Sequence, residues 1–196
     1  MGDKKRLIMT GKDMALTLRR MANEILEKNK ITRDLTVVGI RTRGVYLAQY
    51  LVNLLYQITK KKIPLGILDI VLYRDDFSLV AKQPIVKPTN IPFDIDDKKI
   101  ILVDDVLYTG RTVRAAIDEL IDFGRPKAIQ LAVLIDRSGR ELPIQPDYVG
   151  RTFPVERKEI IEVRVKPMDG KDEVLLCEAE IPAGSKHELR GHKKYE

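Results

Sequence analysis

The stretch from Ile100 to Arg114 constrains the fold of this chain more than any other part of it. Residues 100–103 are consecutive aliphatic side chains, and Asp104 and Asp105 follow them directly. An apolar run of this length, bounded by loop residues, is typical of a strand buried on both faces of a parallel sheet. Residues 112–123 then place apolar side chains at the spacing of one helix face. The acid pair is therefore predicted to lie where a strand gives way to a helix.

The loop after the acid pair has residue types that suit an anion. Gly110 lets backbone approach a ligand closely, and Thr109 and Thr112 can each donate a hydrogen bond to a phosphate oxygen. The start of a helix adds N–H groups and a positive dipole end. Asp104 and Asp105 would repel a phosphate, but they can accept from ribose hydroxyls or hold a hydrated Mg²⁺. Because ligands of open α/β sheets bind at this edge, the segment predicts a sugar-phosphate site. An acid pair alone is also compatible with a solvated turn.

Strands and helices alternate on both sides of this segment. The alternation predicts an α/β fold with a mostly parallel central sheet, right-handed crossovers and flanking helices. Thr10, with Asp13 three residues on, is typical of a helix N-cap, and Gly124 with Pro126 is typical of a helix stop. The predicted elements are helix 12–28, strand 35–40, helix 45–59, strand 67–72, the central strand, helix 112–123 and strand 128–135.

The remaining segments predict a long loop, an accessory layer and a tail. Residues 73–98 contain three prolines and many polar residues, which is typical of a lid or binding loop. Shorter strands and turns are expected from there to about Cys177, and they suggest a small layer above the sheet. With 196 residues in all, we expect one domain over residues 1–182 and a polar tail over residues 183–196.

Composition limits the classes of function without choosing among them. The net charge of +6 permits an anionic partner but does not separate a small phosphorylated ligand from a nucleic acid. No apolar run approaches a membrane span, no signal peptide is visible, and the single Cys177 suits a reducing, cytoplasmic setting. His187 and His192 lie in the polar tail and have no second Cys or His cluster to complete a metal site.

Four strings together narrow the choice of family. They are Val-Gly-Ile-Arg-Thr-Arg-Gly at 38–44, Leu-Tyr-Arg-Asp-Asp at 72–76, Asp-Asp-Val-Leu-Tyr-Thr-Gly-Arg-Thr at 104–112 and Arg-Glu-Leu-Pro at 140–143. The third resembles the phosphoribosyl-pyrophosphate (PRPP) signature of the type I phosphoribosyltransferases. The whole set resembles the PyrR family, whose members are bifunctional: pyrimidine-operon attenuation proteins and uracil phosphoribosyltransferases. The resemblance spans about residues 10 to 175.

The resemblance implies a fold and a reaction. The fold is that of the type I phosphoribosyltransferases, with a small hood of short strands from the N-terminal and C-terminal segments and a flexible loop at about 73–92. The reaction converts uracil and PRPP to UMP and pyrophosphate, with Mg²⁺ carried by PRPP and no metal site made by the protein alone. Homodimers and homotetramers occur in the family, so one of these is expected here.

The same resemblance implies roles for particular residues. Asp104, Asp105, Arg43 and Arg74 would be catalytic, and Arg137 would lie beside the base in the hood. The pyrophosphate loop would be Arg41, Thr42, Arg43 and Gly44, and in this family it often contains a non-proline cis peptide. The residues implied to bind phosphate and ribose are Asp104, Asp105, Val106, Leu107, Tyr108, Thr109, Gly110, Arg111 and Thr112.

Residue types alone leave alternatives open at three of these places. The arginines at 41–44 are also compatible with a basic loop that caps the helix at Val45. Residues 73–76 are also compatible with a solvated turn, and Arg140 with Glu141 is equally compatible with a surface ion pair.

A second function follows from the family, namely RNA binding with UMP as the signal. Members bind pyrimidine-operon leader mRNA on a basic face, and here Arg19, Arg20, Arg140 and Arg151 are the candidates. Three positions depart from the family pattern: Asn23 and Gly139 replace usual histidines, and Gln145 replaces a usual arginine. Two alternatives remain, a nucleotide-sensing RNA regulator with little catalysis and a purine phosphoribosyltransferase, because the PRPP residues would be the same.

Overall fold

Eight strands and four helices lie along residues 5–30, 33–70, 89–156 and 159–178, which the computed structural model describes. The strands are β1 Lys5–Thr10, β2 Leu35–Ile40, β3 Leu65–Leu68, β4 Lys99–Leu107, β5 Ala128–Arg137, β6 Tyr148–Phe153, β7 Glu159–Arg164 and β8 Glu173–Glu178. The helices are α1 Gly11–Asn29, α2 Arg43–Thr59, α3 Arg111–Asp122 and α4 Lys166–Asp169.

Five strands form a parallel sheet in the order β3-β2-β4-β5-β6, which confirms the predicted α/β class. The strand β2 is buried at every position, as an apolar run between two helical layers should be. Its Leu35 and Val37 belong to the core under α1 and α2, whereas Val38 and Ile40 belong to the core under α3. Alternate side chains therefore fill opposite faces of the sheet.

The strand order reverses between β2 and β4. From β2 the chain passes through α2 to β3 on one side, whereas β4 lies on the other side and leads through α3 to β5. Because α2 and α3 pack on opposite faces, the loops after β2 and β4 diverge and leave a crevice between them. Such a switch point is where open α/β sheets bind ligands.

A second, antiparallel sheet has the order β1-β8-β7, and with α4 it forms the small layer that we call the hood. Its Met9, Val163 and Val174 join the same core as α1 and α2, so the hood is packed against the main body. The expected layer of short strands is confirmed. The chain passes from β1 into α1 through the predicted capping box, in which Thr10 Oγ1 accepts from the N–H of Asp13 at 3.2 Å.

Some element bounds differ from prediction for physical reasons. The strand β4 continues past Val103 to Leu107 because β5 keeps pairing with it, so the acid pair lies inside the strand rather than after it. The helix α3 ends at Asp122 with Phe123 as its cap, one residue before Gly124. The strand β3 covers Leu65–Leu68, so it begins two residues before the predicted strand 67–72 and does not include residues 69 and 70, whereas residues 71 and 72 lie outside the described ranges.

Several predictions fall on residues outside the described ranges. These are residues 73–88 of the flexible loop predicted at about 73–92, the tail 183–196 and its two histidines. The division into one domain and a tail therefore stays a prediction. Within the part of the chain that the structure covers, no helix combines the length and apolarity needed to cross a bilayer.

An acid-sensitive ion pair in the hood gives a stability prediction. The Arg164 guanidinium, 2.9 Å from Glu162, lowers the pKa of that carboxyl to about 2, with Lys5 assisting against partial burial. A carboxyl with a lowered pKa contributes stability above its unfolded pKa of ~4.3, and this contribution is lost as pH falls toward 2. We expect Arg164→Gln to make the free energy of unfolding less dependent on pH between 5 and 2, as measured by urea titration.

The matched control for this prediction is Arg114→Gln, which removes an exposed helical ion pair with Asp118. It should leave the acid dependence as in the unmodified chain. Equal acid dependence in the Arg164 variant and the unmodified chain would contradict the role assigned to the Glu162 pair.

Candidate active site

The loop after β2 approaches β4 so closely that only glycine fits at one position. A Cβ built on Gly44 would lie 2.5 Å from the carbonyl oxygen of Val103 and 3.2 Å from the Cα of Asp104. On the other side, a Cβ on Gly39 would lie 2.6 Å from the Cα of Val45. These two glycines let α2 begin directly against the acid-bearing strand. The predicted pyrophosphate loop and the acid pair therefore meet at one point.

A cis peptide joins Arg41 to Thr42, as the family resemblance implied. Aspartates from two different layers contact the arginines of this loop. The Nε of Arg41 lies 3.5 Å from Asp69, just after β3, and its backbone N–H donates to the carbonyl of Leu68. Arg43 donates instead to Asp169 at the end of α4 in the hood.

The acid pair lies near the end of β4, beyond the last residue that β2 pairs with. Asp104 is buried and its Oδ1 accepts from the N–H of Asp105 at 2.9 Å. Asp105 is half-buried, and its Oδ1 accepts from the N–H of Val106 at 3.0 Å. Each carboxylate is oriented by the backbone immediately after it. Two oriented carboxylates at the crevice can accept hydrogen bonds from sugar hydroxyls.

The predicted phosphate loop leads directly into α3. Gly110 has φ +93 and serves as the N-cap, a conformation that glycine adopts without strain. Thr109 Oγ1 accepts from the N–H of Arg111 at 3.3 Å, which leaves its hydroxyl hydrogen to donate elsewhere. No side chain caps this helix and its first turn has no acid. The helix start is therefore suited to a phosphate, as the sequence indicated.

The Arg-Glu-Leu-Pro string supports the predicted phosphate loop from the opposite side, a role that no local pattern in the sequence indicates. The N–H groups of Glu141 and Leu142 both donate to the carbonyl of Thr109 at 3.0 Å. The side chain of Glu141 accepts from Arg111 at 2.7 Å. Arg140 and Glu141 therefore do not pair with each other. The string itself was recognisable, but its partners lie about thirty residues away and no local pattern identifies them.

Arg140 holds the other end of the same loop. Its guanidinium donates to the carbonyl of Tyr108 and pairs with Asp136 at 2.5 Å. The resemblance makes Arg140 a candidate for the RNA face; its guanidinium has these internal partners, and a role in RNA binding stays a prediction. Because Asp136 lies in β5, Arg140 connects the phosphate loop to the neighbouring strand.

A cavity of about 270 Å³ lies between the phosphate loop and the hood side of β5. The buried guanidinium of Arg137 stacks 3.9 Å from the ring centroid of Tyr108 and donates to the carbonyl of Glu159 in β7. A Cβ on Gly139 would lie 2.3 Å from the same ring, so glycine at this position makes room for the tyrosine. Arg137 is the last residue of β5 and not part of the hood itself, and its role beside the base stays a prediction.

The other arginines predicted to face RNA lie away from this crevice. Arg20 donates to the carbonyls of Val149 and Gly150 at 2.9 and 2.6 Å, which joins α1 to β6. Arg151 donates to the carbonyl of Ile8 at 2.8 Å, which joins β6 to β1. Arg19 lines a groove between α1 and α2. Their role in RNA binding stays a prediction.

Two further expectations are not tested by the described residues. Arg74 lies outside the described ranges. Within those ranges, no group of three or more His, Cys, Asp or Glu side chains is arranged to hold a metal ion.

Comparisons with known proteins identify relatives over most of the chain. The model of the phosphoribosyl transferase domain matches residues 8–166. The bifunctional protein PyrR of Elusimicrobium minutum is 55% identical over 172 residues, which cover 88% of this chain and 96% of that protein. The bifunctional protein PyrR of Thermus thermophilus is 51% identical over 173 residues, with the same coverage of 88% and 96%.

Solved structures agree on the fold. The hypoxanthine phosphoribosyltransferase of Trypanosoma cruzi superposes with a TM-score of 0.67 at 15% identity, covering 89% of this chain and 97% of that one. That of Staphylococcus aureus gives 0.61 at 20% identity, covering 77% and 78%. At these identities the likeness concerns the fold alone.

The close approach at Gly44 gives a prediction for the site. We expect Gly44→Ala to move α2 away from β4, because its Cβ would overlap the carbonyl of Val103. Overpacking of this kind costs about 1–3 kcal/mol. The affinity for PRPP, measured by calorimetry, should fall by more than the loss of stability explains. Gly66→Ala, in the middle of β3, is the control, since a Cβ at Gly66 would meet only side chains, at 3.3 Å, and not the backbone of β4. Unchanged PRPP affinity in the Gly44 variant would show that this contact does not shape the site.

Proposed function

This chain belongs to the PyrR family of phosphoribosyltransferases, and from that premise we propose how it transfers the phosphoribosyl group of PRPP to uracil. The observation that carries the proposal is the contact between the cis-peptide loop at Gly44 and the acid-bearing strand at Val103. PRPP has a 5′-phosphate, a ribose with two hydroxyls and a pyrophosphate. The crevice offers a helix start, two carboxylates and an arginine loop in a matching order.

Orientation is the main contribution of the protein in this mechanism. The N–H groups at the start of α3, with Thr109 and Thr112, hold the 5′-phosphate. Asp104 and Asp105 accept from the ribose hydroxyls, and Thr42 and Arg43 hold the pyrophosphate, with Arg74 as a further candidate. The bond from the ribose C1 to pyrophosphate breaks, the bond from C1 to the uracil nitrogen N1 forms, and the N1 proton passes to the departing pyrophosphate. Fixing both reactants at one edge supplies much of the rate by proximity.

The two carboxylates fit the Mg²⁺ that accompanies PRPP. Magnesium is usually held through one or two carboxylates together with substrate phosphates and water, and not by an all-protein cage. When bound, the ion neutralises charge on the departing pyrophosphate. Asp104 and Asp105 would hold the ion's hydration shell and the ribose hydroxyls together on one side of the crevice.

The cavity beside Arg137 is the proposed site of the base. The guanidinium is fixed by Tyr108 and by the carbonyl of Glu159, so its position is set before a ligand arrives. A planar cation at that place can donate to a uracil carbonyl oxygen. The purine alternative is not favoured, because relatives that share half of the sequence are PyrR proteins. An activity assay with uracil, hypoxanthine, guanine and adenine tests the preference directly.

Asp105→Asn tests the ribose contact. We expect turnover with PRPP and uracil to fall at least about tenfold, because a neutral amide is a weaker acceptor for the hydroxyls and a weaker partner for Mg²⁺. The fold should be retained, since the amide oxygen can still accept from the N–H of Val106. Asp118→Asn, at an exposed position of α3, is the matched control. If the Asp105→Asn variant turned over substrate as fast as the unmodified chain, Asp105 would have no part in the mechanism.

We also propose that the protein regulates pyrimidine synthesis by binding operon leader RNA in response to UMP. The net charge of +6 and the exposed basic side chains of α1 support this second function. The internal bonds of Arg20, Arg140 and Arg151 indicate that RNA contacts rely on other cations as well. We further propose a homodimer or homotetramer, which sedimentation would resolve.

Filter binding of a pyrimidine-operon leader RNA tests the regulatory role. We expect UMP to raise the affinity, and we expect the affinity to fall steeply with salt because phosphate contacts release counterions. A leader RNA with a scrambled sequence is the control. If no RNA is retained even at low salt, with or without UMP, the protein acts as an enzyme alone.

A further inference from the structure

An ion pair connects the hood to the pyrophosphate loop. Arg43, the first residue of α2, donates from Nη2 to Asp169 Oδ1 at 3.1 Å and from Nε to Asp169 Oδ2 at 3.4 Å. The two residues are separated by 126 positions in the sequence and belong to different layers. A two-point contact of this kind fixes the plane of a guanidinium as well as its position.

Asp169 is itself held in place. Its Oδ2 accepts from the N–H of Val165 at 2.9 Å, across the single turn of α4. Burial alone would raise the pKa of Asp169, but the N–H of Val165 and the guanidinium of Arg43 outweigh burial and lower it. The carboxylate is therefore charged at neutral pH, and its position is set by the hood backbone.

The pair differs from the exposed ion pairs of the chain. The side chains of Arg43 and Asp169 are 30% and 18% exposed, so solvent screens them less than the exposed helical pair of Arg114 and Asp118. The contact uses Nε and Nη2 of Arg43. Among the described residues the hydrogen bonds and ion pair of Arg43 use only Nε and Nη2, so Nη1 can donate to a phosphate oxygen.

We propose that Asp169 is a positioning residue that aims Arg43 at the pyrophosphate of PRPP. The inference rests on the proposed function and adds a residue from outside the crevice to it. Asp69 holds Arg41 from the sheet side, whereas Asp169 holds Arg43 from the hood side. The hood thereby sets the geometry of the pyrophosphate end as well as that of the base. Without Asp169, Arg43 samples several rotamers and binds pyrophosphate less well.

Asp169→Asn tests the proposal with little risk to the fold, because the amide oxygen can still accept from the N–H of Val165. The control is Glu173→Gln, which weakens a shielded hood ion pair with Arg164 that does not contact the loop. The binding of pyrophosphate and the binding of UMP are measured separately by calorimetry in the presence of Mg²⁺. Neither measurement requires turnover. Urea titration monitors the stability of each variant.

We expect Asp169→Asn to weaken pyrophosphate binding by about fivefold or more, the loss of one charge-assisted contact, and to leave UMP binding within twofold. Glu173→Gln should change neither. The KM for PRPP should rise in parallel with the pyrophosphate Kd. In Arg43→Gln, adding Asp169→Asn should have no further effect on pyrophosphate, since Asp169 acts through Arg43.

The results that would overturn the positioning role differ from the result that would refute the proposed transfer. Pyrophosphate binding that is unchanged in Asp169→Asn overturns the positioning role, and so does an equal loss of UMP binding, which would indicate a general disturbance of the hood. Pyrophosphate binding that is undetectable in the unmodified chain overturns it as well. An unmodified chain that binds pyrophosphate and UMP but forms no UMP from uracil and PRPP would instead refute the proposed transfer.

Discussion

The approach of one backbone to another at Gly44 is the constraint on which the crevice depends. A side chain at this position would overlap the carbonyl of Val103, so α2 can begin against β4 only because the residue is glycine. That contact brings the cis-peptide loop beside the acid pair. It also occurs between β2 and β4, where the strand order reverses and the two following helices leave toward opposite faces. Topology opens the crevice, and the glycine determines how narrow it is.

The phosphate side of the crevice depends on a different principle. Here a short loop is held by a segment that belongs to another part of the chain. The carbonyl of Thr109 accepts two N–H donors from residues 141 and 142, and the carbonyl of Tyr108 accepts from Arg140. Loop carbonyls satisfied in this way hold the loop in one conformation, in which the N–H of Arg111 bonds to Thr109 and the following N–H groups of the helix start can bind the proposed phosphate. An ordered loop of this kind lowers the ordering cost of binding.

Much of this was accessible from the sequence, because the signals are local. The apolar runs of β2, β4 and β5 are longer than those of strands with one exposed face. Thr10 and Asp13 identify a helix start from residues only three positions apart. The acid pair and the Thr-Gly loop follow each other directly in the sequence, so they lie together at the end of the same strand in any parallel sheet. The cis peptide, by contrast, came from the family resemblance and not from residue types.

What the sequence did not indicate depends on partners distant along the chain. The strand β1 carries few buried positions and exists because β8, far along the chain, pairs with it. The extension of β4 through the acids follows from continued pairing with β5. The partner of Arg43 lies in the hood and that of Glu141 lies in α3, so charge patterns alone could not choose between them and nearer neighbours.

The edges of the five-stranded sheet have a consequence for assembly. At one edge, Arg20 donates to two consecutive carbonyls of β6, and at the other, Asn90 exchanges two backbone hydrogen bonds with Ile67 of β3. Both edges therefore already have partners within the same molecule. Backbone groups bonded in this way are not available to a strand from a neighbouring copy, so they blunt part of each edge. The homodimer or homotetramer proposed above would then use surfaces other than these edge positions.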